Sequence, residues 1–98
     1  MTINKTIEGK VCILFIKGRI DTLTSPELEQ EFIENAENCE KMIFDLSETE
    51  YISSAGLRVI LVANREMEKK DGLVLKNLSK NVESIIKMTG FGKFVCIE

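Results

Sequence analysis

The chain has 98 residues, 44% hydrophobic and 30% charged, which is enough for one small domain with its own core and too little for two, and which excludes a disordered segment. It contains no histidine, so Ser-His and Cys-His nucleophile pairs and His-containing metal sites are excluded. A net charge of −3, with no basic cluster interleaved with aromatics, argues against a nucleic-acid partner.

In chain order, Ile3 to Ile7 alternates and predicts an edge strand, and Glu8-Gly9-Lys10 a turn. Val11 to Ile16 is a continuous apolar run rich in β-branched residues. It predicts a central strand ended by Gly18, hairpinned with the first. Thr24-Ser25-Pro26-Glu27 opens a helix in one of two ways. Thr24 caps with Glu27 completing a capping box, or Ser25 caps with Pro26 in the first helical position. Leu28, Phe32, Ala36 and Cys39 then form one helix face, opposite Glu29, Glu31, Glu34 and Glu37.

Met42-Ile43-Phe44 reads as a second buried strand, and Glu48 to Glu50 as a polar turn leading to Tyr51-Ile52. From Ser54 the pattern becomes helical. Leu57, Ile60, Leu61, Asn64 and Met67 share one face, Arg58, Arg65 and Lys69 the other, and Gly72 ends the helix. Leu73-Val74-Leu75 is a third buried strand. Ser79 caps a short helix that turns Val82, Ile85 and Ile86 inward and stops at Gly90, and Phe94 to Ile97 is a last strand. The order β-β-α-β-α-β-α-β calls for right-handed crossovers. The predicted fold class is therefore α/β: a small single domain, residues 1–98, with a mixed, mostly parallel sheet and helices mainly on one face.

The three cysteines are odd in number and form no Cys-x-x-Cys, and Cys12 and Cys96 sit in apolar runs as small core residues. A reducing compartment follows. The N-terminus has no apolar signal region and no run is long enough to span a membrane, so a cytoplasmic protein is expected. Charge is uneven. Residues 1–50 carry five Lys/Arg against eleven Asp/Glu, a net of −6, and residues 51–98 carry eight against five, a net of +3. This suits a protein partner or simply two solvated faces.

The turn Tyr51-Ile52-Ser53-Ser54-Ala55-Gly56-Leu57 carries the most specific signal. A serine there sits at a helix N-terminus, where unpaired N–H groups and the helix dipole favour a phosphate. The plain alternative is an N-cap worth about 1 kcal/mol. Asp21 is an acidic neighbour of that phosphosite or a turn residue. Gly56 allows close approach of a partner or tight packing of helix on sheet. Val59 and Val62 lie off the main apolar stripe, as partner contacts or helix-edge packing. No Ser-x-x-Lys and no Gly-rich phosphate loop accompanies the serines, so an enzyme is not expected.

Together, the element order, Gly18-Arg19-Ile20-Asp21, the Ser53-Ser54 turn and Met88-Thr89-Gly90-Phe91 resemble the STAS domain of bacterial anti-sigma factor antagonists, over essentially the whole chain. The resemblance implies a protein that binds an anti-sigma factor serine kinase, an ATPase of the histidine-kinase-like fold, and so frees a sigma factor. Phosphorylation by that kinase breaks the complex and a PP2C-type phosphatase restores it. The phosphorylated serine falls on Ser54, with Asp21, Ser53 and Gly56 as its neighbours. The family often has Asp before this serine and Ser or Thr after it. Here Ser53 and Ala55 stand there, which leaves Ser53 as an alternative acceptor. The partner-binding set is Asp21, Thr22, Ser54, Ala55, Arg58, Val59 and Val62, with no cofactor and no metal. The same fold also serves as a subunit docking on the ATPase of a lipid-transport ABC system, without a phosphorylation cycle.

Overall fold

The computed structural model describes residues 1–98. The elements are β1 (Thr2–Glu8), β2 (Val11–Ile20), α1 (Ser25–Ala36), β3 (Lys41–Asp45), β4 (Thr49–Ile52), α2 (Ser54–Met67), β5 (Gly72–Lys76), α3 (Lys80–Thr89), a 3₁₀ turn at Phe91–Lys93, and β6 (Cys96–Ile97). β1 and β2 form the expected antiparallel hairpin, and β2, β3, β5 and β6 pair in parallel in the order β1-β2-β3-β5-β6.

Alternation decides which side of the sheet is covered. Cys12, Leu14 and Ile16 of β2 share a face with Met42 and Phe44 of β3 and with Leu73 and Leu75 of β5. These residues form one core with Leu28 and Phe32 of α1, Val59, Ile60, Ala63 and Met67 of α2, and Val82 and Ile86 of α3. All three helices therefore cover the same face. The other face, with Ile13, Phe15 and Ile43, has no helix over it, and Phe15 is 41% exposed. Asn64 is polar within the buried arc of α2, but its Nδ2 donates to the Phe94 carbonyl oxygen at 2.9 Å and so ties the helix to the end of the chain.

Five local expectations need correction. Gly18 does not end β2. At φ +103 it makes a bulge, and the strand continues to Ile20. Beyond the bulge β2 exchanges β3 for a sixth strand, β4, whose first two residues, Thr49 and Glu50, fall within the expected polar turn Glu48 to Glu50. Gly18 N–H donates to the Glu48 carbonyl oxygen at 3.0 Å, and the buried Thr49 hydroxyl donates to that of Ile16 at 2.6 Å, which fixes the crossover. Neither of the two expected caps forms at α1: Ser25 is already helical, and no capping box closes. Thr24 occupies the N-cap position, but its hydroxyl is spent on the preceding loop. α2 ends at Met67, and Gly72 opens β5 instead of closing the helix. Finally, the last strand is only Cys96–Ile97, so Phe94 is exposed, and Cys96 is an exposed edge residue and not a core one.

Candidate functional site

The crossover strand β4 delivers Ser53 to the end of β2. Ser53 N–H donates to the Ile20 carbonyl oxygen at 2.8 Å, which pins the start of α2 to β2. Ser53 has extended backbone, and its Oγ accepts from Gly56 N–H at 3.3 Å, so Ser53 is the N-cap. Ser54 is the first helical residue and is exposed. The first turn of α2 carries no acidic side chain, so nothing of its own offsets the positive end of the helix dipole.

Gly56 is buried against the same strand. A Cβ there would stand 2.7 Å from Ile20 Cγ2, 2.9 Å from Ile52 Cγ2 and 3.0 Å from the Ile20 carbonyl oxygen. Close packing of helix on sheet is thus its role in the fold.

Asp21 follows Ile20 and organises the loop into α1. Its Oδ1 accepts from Leu23 N–H at 3.0 Å and Thr24 N–H at 3.1 Å. Thr24 Oγ1 accepts from Asp21 N–H at 2.8 Å and lies 2.7 Å from the Arg19 carbonyl oxygen and 3.1 Å from Asp21 Oδ1, donating to one of them at a time. These bonds, the Thr24 N–H first among them, hold the Asp21 carboxyl below its ordinary pKa, with a smaller contribution from Arg19. The Arg19 guanidinium reaches Asp21 Oδ2 at 3.8 Å and lies 4.4 Å from the centre of the Tyr51 ring. Asp21 is therefore a turn builder, one residue past the Ile20 carbonyl that holds the start of α2.

The remaining predicted residues divide. Thr22 and Arg58 are exposed and Ala55 is half-buried around the same end of the molecule. Val59 is 2% exposed and belongs to the core, so it is not available to a partner in this state. α2 is packed between the sheet and α1, and its buried arc is therefore wider than a single stripe. Val62 is 37% exposed but lies farther along α2, beside α1.

Sequence reasoning missed three contributors: Arg19, Tyr51 as the partner of Arg19, and Met88. Ile85, expected inward, is half-buried. With Tyr51, Leu57 and Met88 it lines a shallow apolar groove of about 230 Å³ beside Ser54. The signal for Met88 was present, since it stands on the outward side of α3 relative to Val82 and Ile86, and it is 86% exposed. No group of three or more Cys, Asp or Glu side chains gathers in a way that would hold a metal ion.

The STAS domain family model matches residues 2–98. Among curated proteins, the "Putative anti-sigma factor antagonist BtrV" of Bordetella bronchiseptica is 32% identical over 93 residues, covering 93% of this chain and 78% of that protein. Among solved structures, an anti-sigma factor antagonist from Mycobacterium paratuberculosis superposes with a TM-score of 0.88 at 25% identity, covering 98% of this chain and 83% of the other. The Bacillus cell fate determinant SpoIIAA in its phosphorylated form shares the fold, with a TM-score of 0.74 at 15% identity over 99% of this chain and 91% of that one.

Proposed function

The chain belongs to the STAS domain family, and on that premise we propose that it is an anti-sigma factor antagonist which binds a serine-kinase anti-sigma factor and is switched off by phosphorylation of Ser54. The observation that carries this reading is the division of labour between two adjacent serines. The Ser53 hydroxyl is committed to the Gly56 N–H, whereas Ser54 stands exposed on the first turn of α2.

In the reaction, Ser54 Oγ attacks the γ-phosphorus of ATP. The Oγ–P bond forms, the bond to ADP breaks, and the hydroxyl proton passes to a base of the kinase. A PP2C-type phosphatase reverses the state with water and releases inorganic phosphate. The phosphate adds about −1.5 to −2 charges and three acceptor oxygens. N–H groups of the first turn have no carbonyl one turn back, so they can receive it without disturbing the fold. Asp21 then faces a new like charge, and a docked partner meets both charge and bulk. Raising the free energy of the complex by about 3 kcal/mol lowers affinity by about a hundredfold. The apolar groove of Tyr51, Leu57 and Met88 supplies contact area next to this charge.

Incubation with the cognate serine-kinase anti-sigma factor and ATP should add one phosphate, read by intact mass. Ser53→Ala should keep it and Ser54→Ala should lose it. Phosphate that persists in Ser54→Ala moves the acceptor elsewhere. A kinase complex that forms but never phosphorylates the chain removes the switch and leaves an assembly role, such as docking on a transporter ATPase.

A further inference from the structure

A second surface lies away from Ser54, along the middle and far half of α2. There α1 and α2 enclose a groove of about 360 Å³. Its floor is Phe32 and Val59, both buried, and its walls are Ile33 and Val62, which remain 56% and 37% exposed. Apolar side chains left open beside a buried floor mark a place where something docks more often than a random surface does.

The rim has a definite chemistry. Glu29, Glu37 and Glu66 line it. Lys69 Nζ approaches Glu66 at 3.4 Å, and Lys70 Nζ is taken up by the Ala36 and Cys39 carbonyl oxygens at 2.6 and 2.9 Å. Glu29 and Glu37 enter no ion pair. They stand two turns apart on the α1 bank, about 12 Å along its axis, with Ile33 between them. α1 itself contains four glutamates and no basic residue. On the other bank the charge that lines the groove is Glu66, while Arg58 and Arg65 are exposed on α2 outside the lining. The charges that line the groove are therefore all acidic, around an apolar trough with room for a few aliphatic side chains.

We propose that the α1–α2 groove docks an amphipathic helix of a protein partner, with aliphatic residues at i, i+3 or i+4, and i+7 in the trough and with Lys or Arg along the edge that meets Glu29 and Glu37. The aliphatic row matches helix-in-groove recognition, and the acidic lining selects a helix whose edges are basic. The proposal concerns a face distinct from the Ser54 turn and does not rest on the phosphorylation reading.

The test uses the full chain, ¹⁵N-labelled, and a synthetic helical peptide of about fourteen residues, about 21 Å long. The peptide carries Leu at the trough positions and Lys on both edges. A control peptide carries Glu on both edges. The first peptide should shift the amide signals of Ile33, Glu37 and Val62, and the control should not. Ile33→Asp should weaken binding by about tenfold or more. Glu29→Lys with Glu37→Lys should weaken it about three- to tenfold at low salt, and less as salt rises. Glu34→Lys, the same charge change on the same helix but outside the groove, should leave it unchanged. Three results overturn the proposal: no shifts, shifts centred on Ser54 and Met88, or equal loss from Glu34→Lys and Glu37→Lys. Concentration-dependent shifts at Ile33 and Val62 without peptide would replace the partner by a second copy of this chain.

Discussion

A single missing methyl group sets the distance between α2 and the strand beneath it. In an isolated helix, Gly56→Ala would be favourable by up to about 1 kcal/mol. Here the added carbon meets two β-branched side chains with little rotamer freedom and one backbone oxygen. Overpacking of that kind costs about 1–3 kcal/mol, so the steric term wins. Gly56→Ala should lower the urea midpoint without changing the slope and should shift the NMR signals of Ile20 and Ser53. The sequence pattern left Gly56 open between close approach of a partner and tight packing, because a glycine in a helix start shows that room is needed but not what fills it. Ser53 and Ser54 pose the same difficulty. Either serine suits a cap, and only the backbone conformation at Ser53 separates the cap from the exposed hydroxyl.

At the scale of elements, the two serine caps do unequal work. Ser53 Oγ satisfies one N–H of α2. Ser79 Oγ accepts from Val82 N–H at 3.3 Å and also donates to the Thr49 carbonyl oxygen at 2.6 Å, joining α3 to β4. Ser53→Ala should cost about 1 kcal/mol. Ser79→Ala should cost more, about 1–3 kcal/mol, because it removes the cap and also the donor that serves a partly buried carbonyl. Paired thermal melts would order them, and equal losses would mean that the bond to Thr49 contributes nothing. The α2 and α3 helices, the hairpin and the strands β3 and β5 were legible because each announces itself by local period, run or cap. β4 was not. Thr49-Glu50-Tyr51-Ile52 follows a polar cluster and becomes a strand only because the far half of β2, bent by Gly18, offers it an edge. Val59 stayed open between partner contact and packing for a related reason: which arc of α2 is buried depends on where α1 lies, and no local period records that.

For the molecule as a whole, acid should act through its depressed carboxyls. Asp45 is 9% exposed. Burial alone would raise its pKa, but Ser47 N–H at 3.0 Å, Ser47 Oγ at 2.7 Å and Asn77 Nδ2 at 2.9 Å outweigh it and hold the carboxyl below its ordinary value. The ionised form therefore favours the folded state. The stability it adds is complete above the unfolded pKa of about 3.9 and is lost as pH falls through the lower native value. Asp45→Asn should cost about 1–3 kcal/mol at neutral pH, since an amide sets an NH₂ group against Ser47 or Asn77. The gap to wild type should close as pH falls below about 4, measured by denaturant titration across pH. A gap that is constant with pH would assign the loss to shape and not to charge.

The change of partner along β2 also divides the molecule in time. The half of β2 before the bulge pairs with β1 across a short turn, so the hairpin is complete soon after residue 20 leaves the ribosome. The half after the bulge waits for Thr49 to Ile52, and the Ile20 carbonyl has no start of α2 to hold until Ser53 has been made. The end of the molecule that carries the two serines is thus the later one to close. A nascent chain that stops short of Gly56 cannot present the surface that a partner reads.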